Sequence, residues 1–179
     1  MCGVSDLRSD DHVRGPEGAE LVVVYADFTC PHCALAHARL LEREGEIRRV
    51  FRHMALKAKH PRAVPVAQAA EAAALQGAFW PFHDALYDDP GRIEDPHLWA
   101  LAERLGLDVD RFDADRRTEA VAARVARDTR EAVLAGAMTT PTFFRDGRPT
   151  TIIPFATSET KQRSGPLPNA GQRGRTYEQ

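Results

Sequence analysis

The chain has 179 residues, a formal net charge of −2 and three cysteines. Its length suits one domain that buries about two-thirds of its unfolded surface. The near-neutral charge argues against a nucleic-acid partner, and three cysteines are too few for a disulfide-stapled secreted scaffold. No segment approaches the roughly 18 apolar residues of a membrane-spanning helix, so we expect no direct insertion into a membrane.

Residues 1–17 are polar and charged and form a predicted N-terminal arm, which ends with a turn at Gly15-Pro16. The first residues contain neither a basic region nor an apolar core, so no signal peptide is predicted. We therefore expect a cytoplasmic protein. In that compartment a Cys-x-x-Cys pair is more often catalytic than structural.

The next predicted unit, residues 18–61, is a strand, a helix and a strand. Residues 21–28 form a continuous apolar run, as in a strand buried on both faces. Cys30-Pro31-His32-Cys33 then opens a helix that ends at Gly45, and residues 47–56 predict the second strand. If Cys30 is the N-cap, Pro31 takes the first helical position, and the helix dipole and free N–H groups favour the Cys30 thiolate.

The cysteine motif predicts redox chemistry, because Cys33 lies one turn beyond Cys30 and can resolve a mixed disulfide. A structural Cys30–Cys33 disulfide closes so short a loop that it would contribute only about 2 kcal/mol. Zinc needs four ligands, and only His37 offers itself as a third. A Cys-His hydrolase is disfavoured, because the second cysteine would capture the nucleophile.

Residues 62–136 predict a helical insertion and a return helix, with helices at 66–76, at 79–87, from Pro96 to Gly106 and at 116–135. The second contains an aromatic cluster that suits the core better than a substrate groove: Phe79, Trp80, Phe82 and Tyr87. Four histidines lack metal-ligand spacing among themselves and are predicted at the surface or locally hydrogen-bonded: His53, His60, His83 and His97. No metal and no cofactor are expected, since no phosphate loop or dinucleotide fingerprint is present.

Residues 137–153 predict a loop and a β-hairpin. A strand at 142–144 leads into Asp146-Gly147, a typical two-residue hairpin turn, and residues 148–153 form the returning strand. In residues 154–179, prolines and glycines are distributed among polar residues, and the apolar residues show no helical periodicity. They predict a disordered tail.

These motifs resemble the DsbA-like branch of the thioredoxin superfamily, in which a Cys-Pro-His-Cys helix faces a cis-proline loop across a helical insertion. The resemblance spans roughly residues 10–150 and rests on four segments: Asp27-Phe28, Cys30-Pro31-His32-Cys33 after it, Phe79-Trp80 with His83-Asp84-Ala85-Leu86, and Thr140-Pro141-Thr142-Phe143-Phe144. Similar thioredoxin-like domains are sometimes fused to sodium/proton antiporters. The resemblance implies an α/β, thioredoxin-like fold with an inserted helical domain and without the usual C-terminal helix.

The resemblance also implies roles for individual residues. Cys30 would be the nucleophile, Cys33 the resolving thiol and Pro141 the cis-proline beside them. His32 would favour the Cys30 thiolate, and the backbone of Thr140 would pair with an extended substrate. The expected partners are protein or small-molecule thiols and disulfides.

Three features depart from the family pattern. Val24 stands where many relatives carry a buried acid that moves protons to and from the second thiol, and Thr139 stands where relatives have glycine. The tail cannot supply the final amphipathic helix, so an uncovered sheet face is expected to favour self-association. The alternative function is therefore a non-catalytic thioredoxin-like module that binds a partner or zinc.

Overall fold

The computed structural model describes residues 6–151, which contain one five-stranded sheet and six helices. The strands are β1 His12–Arg14, β2 Glu20–Ala26, β3 Ile47–His53, β4 Thr142–Arg145 and β5 Arg148–Thr150. The helices are α1 Pro31–Leu41, α2 Ala63–Ala74, α3 Phe79–Asp88, α4 Asp95–Arg104, α5 Val109–Asp115 and α6 Glu119–Leu134. This is a thioredoxin-like fold with a helical insertion.

The sheet has the order β1-β3-β2-β4-β5. The central strands β2 and β3 are parallel and joined through α1, whereas β4 runs antiparallel to β2 with Thr142 opposite Tyr25. Because β4 begins directly after Pro141, this register brings the loop before β4 to the end of β2, where α1 starts. The sheet therefore places two segments 110 residues apart side by side.

Both faces of β2 are buried, as its continuous apolar run predicts. Val22 and Val24 face a core formed with the helical insertion, while Val23 and Tyr25 belong to a second cluster with Phe144. Three of the predicted aromatic residues lie in the first core: Phe79, Phe82 and Tyr87. Trp80 packs half-buried against that core.

The second face of the sheet differs from the expectation of an uncovered apolar surface. Val23, Tyr25 and Phe144 are fully buried, and α6 packs against β2 and β3 on the sheet. Among residues 6–151, the most exposed large apolar side chains are instead Leu134 and Met138, in and after α6. Self-association through a bare sheet face therefore has no support in the described residues.

Two elements lie outside the sequence prediction. β1 falls inside the segment predicted as a polar arm, and its three residues are too few to show a strand period, although Val13 pairs with Val50 of β3. α5 precedes the return helix, which begins at Glu119 rather than at residue 116. The Thr118 hydroxyl caps α6 by accepting from Val121 N, which sets its start.

No helix between residues 6 and 151 has the length and apolar character needed to cross a membrane. The predicted disordered tail at 154–179 and the missing C-terminal helix lie outside the described residues. So do residues 152 and 153 of the predicted returning strand.

Candidate active site

Cys30 occupies the N-cap of α1 with φ −92° and ψ 120°, and Pro31 follows in the first turn. The backbone N–H groups of Cys33 and Ala34 donate to the Cys30 carbonyl at 3.0 and 3.2 Å. The structure therefore has the helix start that the sequence predicts. The Cys30 sulfur lies at the positive end of α1.

The loop between β2 and α1 is held by Asp27. Its Oδ1 accepts from the backbone N and the hydroxyl of Thr29 at 2.8 and 2.6 Å, and its carbonyl accepts from Cys30 N at 3.1 Å. The backbone N of Asp27 in turn donates to Cys33 Sγ at 3.5 Å. One residue thus fixes the position of both cysteines.

The loop before β4 lies against the cysteine pair. The Thr140–Pro141 peptide bond is cis, and Cys30 Sγ lies 3.5 Å from the Thr140 carbonyl oxygen. Thr139, where the family pattern has glycine, is not among the described residues with a left-handed φ. The turn is made three residues earlier by Gly136, whose φ is 90°, so the loop needs no glycine at position 139.

The two thiols have opposite acidities. The hydrogen bond from Cys33 lowers the pKa of Cys30 to about 4, assisted by the backbone N–H groups of Cys33 and His32 although burial acts against it. The same hydrogen bond and burial raise the pKa of Cys33 far above its ordinary value. Cys30 is therefore a thiolate at neutral pH, while Cys33 keeps its proton. Thiol–disulfide exchange begins with attack by a thiolate, so this pair has one thiol ready to react and one in reserve as the protonated form.

His32 contributes differently from the expectation. Its side chain is exposed, and its backbone N–H is the part of His32 that helps to lower the pKa of Cys30. The main stabilisation of the thiolate comes instead from the Cys33 hydrogen bond.

Alkylation of reduced protein should report this acidity. We expect the rate of Cys30 modification to rise with pH and to reach half its plateau near pH 4, because only the thiolate reacts. His32→Ala should shift that midpoint by less than about half a unit, since the backbone N–H remains. Stopped-flow alkylation followed by mass spectrometry measures both proteins. A midpoint near about 8.5, the value of an unperturbed cysteine, would contradict this assignment.

A group of residues behind Cys33 was missed by the sequence analysis. The His37 ring lies 5.0 Å from the Tyr87 ring and 4.9 Å from the His83 ring, centroid to centroid, and Arg49 Nη1 lies 3.4 Å from His37 Nδ1. The only signal along the chain is that His37 follows Cys33 by one helical turn. Arg49 and Tyr87 come from β3 and α3, so their approach depends on the tertiary fold.

Folding also brings histidines together with carboxylates. Glu71 Oε1 lies 2.8 Å from His12 Nε2 and 2.7 Å from His53 Nε2, and His83 Nδ1 lies 2.8 Å from Asp84 Oδ1. The prediction of local bonding suits His83, whose partner is its neighbour in the chain. A surface position is wrong for both His53 and His83, which are 1% exposed.

Among the described residues, the fold places no further group of potential zinc ligands around Cys30 and Cys33. Between residues 6 and 151, the potential ligand atoms that lie within 4.8 Å of one another form two groups, and neither includes Cys30 or Cys33. One is His12, His53 and Glu71, and the other is His37, His83 and Asp84. His37, the predicted third zinc ligand, therefore belongs to a different group.

Comparison with known proteins gives the family and the fold of this chain. The family model of the DSBA-like thioredoxin domain matches residues 21–160. A thioredoxin-like oxidoreductase from Silicibacter pomeroyi has a similar structure, with a TM-score of 0.71 and 28% identity over 80% of this chain and 84% of that one. BdbD from Bacillus subtilis shares the fold, with a TM-score of 0.67 and 19% identity over 85% and 91% of the two chains.

Two curated relatives are named as sodium/proton antiporters. The chain is 48% identical over 145 residues to "Na(+)/H(+) antiporter NhaA 3" of Salinispora tropica and 45% identical over 143 residues to "Na(+)/H(+) antiporter NhaA" of Herminiimonas arsenicoxydans. Each match covers 77% of this chain but 22% of the relative. The chain thus spans about a fifth of the length of these relatives.

Proposed function

The chain belongs to the family of DSBA-like thioredoxin domains, and from that premise we propose that it is a thiol–disulfide oxidoreductase acting through Cys30 and Cys33. The Cys30 thiolate attacks a substrate disulfide and forms a mixed disulfide, which Cys33 resolves. The substrates are protein or small-molecule disulfides and thiols. An extended substrate pairs with the backbone of Thr140, beside Pro141. A cytoplasmic location stays a prediction.

One observation carries the proposal: two free thiols of opposite acidity meet at a helix N-terminus beside the Thr140 carbonyl. The nucleophile must be ionised at neutral pH, and the pKa of Cys30, lowered to about 4 by the Cys33 hydrogen bond, meets that condition. Cys30 is also the cysteine closer to solvent, at 7% exposure against 2% for Cys33. An incoming disulfide therefore meets Cys30 first.

The same acidity supports an oxidising pair. A stabilised Cys30 thiolate favours the reduced dithiol form, and it makes Cys30 a good leaving group. The reduction potential should therefore be less negative than the roughly −270 mV of thioredoxin. This direction differs from the reductase or isomerase role that a reducing cytosol by itself suggests.

The proposal is tested by substitution of the nucleophile. Cys30→Ser should lower catalysed reduction of insulin to the uncatalysed rate, since no other thiolate at the site can start the exchange. Cys2→Ser is the matched control and should retain full turnover. A redox titration in glutathione buffers should give a single two-electron midpoint for the wild-type pair and none for Cys30→Ser. Full insulin reduction by Cys30→Ser would refute the proposal.

The antiporter relatives support a second candidate, a thioredoxin-like module that acts by binding a transporter or a metal. This candidate predicts that the Cys30–Cys33 pair has no defined midpoint and that the purified protein carries zinc. Metal analysis and the same redox titration separate the two functions. One equivalent of zinc together with unreactive thiols would favour the binding module.

A further inference from the structure

A small cavity touches the resolving cysteine. It measures about 10 Å³, which is room for one water molecule. Its wall includes Cys33, but not Cys30, together with Val24, His37, Arg49 and Tyr87. Val24 occupies the position where the family pattern has a buried acid.

Arg49 is a buried cation in this wall. Its residue is 5% exposed, and no carboxylate oxygen in the described part of the chain lies within 4.0 Å of its guanidinium. Nη1 donates to His37 Nδ1 at 3.4 Å, and the guanidinium carbon lies 5.1 Å from the Trp80 ring centroid. Burial lowers the pKa of Arg49 to about 10, so the group stays charged at neutral pH. A buried charge of this kind favours a nearby anion.

His37 and Tyr87 add two donors. Because arginine can only donate, His37 Nδ1 accepts, and the neutral ring carries its proton on Nε2. Burial, and then the charge of Arg49, lower the pKa of His37 to about 4, so the ring is neutral at pH 7. Its Nε2 is buried without a hydrogen bond, 3.5 Å from Asp84 Oδ1, and the Tyr87 hydroxyl is also buried without a partner. Burial raises the pKa of Tyr87, which keeps that hydroxyl protonated.

The groups that face Cys33 come from four parts of the fold. Cys30 and the backbone of Asp27 interact with Cys33 directly, and His37, Arg49, His83 and Tyr87 line the same cavity. Asp84 accepts from Arg14 at 2.7 Å and from His83, and Asp27 Oδ1 accepts from Thr29, whereas Asp27 Oδ2 is buried without a hydrogen bond. Neither carboxylate belongs to the wall of the cavity. Once Cys30 is consumed in a mixed disulfide, Cys33 is the remaining thiol of the pair, and it shares the cavity wall with the three donors.

We propose that Arg49, with the N–H of His37 and the O–H of Tyr87, stabilises the Cys33 thiolate through a water molecule in this cavity. The inference rests on the proposed function. In the reduced protein the Cys30 thiolate holds the Cys33 proton. When Cys30 is bonded to a substrate sulfur, that charge is gone, and Cys33 loses its proton through the water to a base in the solvent.

The resolving step then balances without a further reactant. The Cys33 thiolate attacks Cys30 Sγ and forms the Cys30–Cys33 bond. The bond between Cys30 and the substrate sulfur breaks, and its electron pair leaves on the substrate thiolate, which takes a proton from water. Two electrons have passed from the protein dithiol to the substrate disulfide.

A two-phase thiol assay isolates this step. Reduced protein is mixed with one equivalent of dithiobis(nitrobenzoate), whose first coloured thiolate reports attack by Cys30 and whose second reports resolution by Cys33. In Arg49→Met the apparent pKa of the second phase should rise by roughly one to two units, which makes that phase about 10- to 100-fold slower at pH 7 relative to the first. Arg49→Lys should restore most of the rate, because it restores the charge.

Arg48→Met is the matched control. Arg48 is the neighbouring residue on β3 and pairs with the exposed Glu17 at 3.8 Å, so the ratio of the two phases should remain that of wild type. A purely structural role for Arg49 would change the rates but not the pH at which the second phase is half-maximal. A second phase in Arg49→Met with the wild-type pH profile would overturn the inference.

Two further results complete the test. If Arg49→Met does not fold, Tyr87→Phe provides the test, because it removes a single donor at almost constant volume. It should slow the second phase by about 3- to 10-fold at pH 7. An unchanged second phase in Tyr87→Phe would then overturn the inference. A wild-type protein that gives only the first phase would instead refute the proposed function itself. The two failures are therefore distinct.

Discussion

Replacement of Cys33 by serine is expected to arrest the protein as a mixed disulfide on Cys30. The Cys30 thiolate still attacks, because the serine hydroxyl can donate to it in place of the Cys33 thiol and the backbone N–H groups at the helix start remain. Resolution fails, since a serine hydroxyl at this position cannot displace the substrate thiol. Multiple turnover should fall to the background rate, while one substrate thiol per protein becomes covalently attached.

Mass spectrometry of the non-reduced protein measures this adduct. It should form in stoichiometric amount with a peptide disulfide, disappear after addition of dithiothreitol, and map to the peptide that contains Cys30. The Cys30→Ser/Cys33→Ser protein is the control and should form no adduct. An adduct on Cys2 instead of Cys30, or full turnover by Cys33→Ser, would contradict the assigned roles of the two cysteines.

Asp11→Ala should cause a large loss of stability, although Asp11 lies far from the cysteines in the sequence. Asp11 Oδ1 and Oδ2 accept from Arg52 Nε and Nη2, both at 2.8 Å, and neither side chain is accessible to solvent. Arg52 also donates to the Tyr25 hydroxyl at 3.3 Å and to the Asp6 carbonyl at 2.7 Å. Loss of the carboxylate removes the charged hydrogen bonds that Asp11 makes with a buried guanidinium, so the free energy of unfolding should fall by about 3–5 kcal/mol.

Urea unfolding followed by circular dichroism checks this prediction through the transition midpoint at constant m value. Glu46→Ala breaks the exposed pair between Arg43 and Glu46 and should cost less than about 1 kcal/mol. Asp11→Ala/Arg52→Met should recover part of the loss, because the buried charge is then gone. Equal costs for Asp11→Ala and Glu46→Ala would show that the buried pair is not essential to stability.

The amino-acid sequence by itself determined those features that depend on neighbours along the chain. Cys30 caps a helix because Pro31 suits only its first turn, and the turn at Asp146-Gly147 has φ values of 49° and 74°, which this residue pair tolerates. The apolar run of β2 predicted a strand buried on both faces. The residues that carry the proposed redox chemistry were accordingly visible in the sequence, together with the family pattern that pairs them with Thr140-Pro141.

Only the tertiary structure decided which side chains surround those residues. Arg49 and Tyr87 reach the cavity beside Cys33 from β3 and α3, far along the chain, and no sequence periodicity predicts that they share it. β1 was missed for the same reason, since three residues acquire strand structure only by pairing with β3. Burial then determines the protonation of a side chain. A histidine on the surface can act as a base, whereas His37, buried beside Arg49, has a lowered pKa and stays neutral. Local sequence specifies backbone conformation, whereas charge and proton position depend on the packed environment.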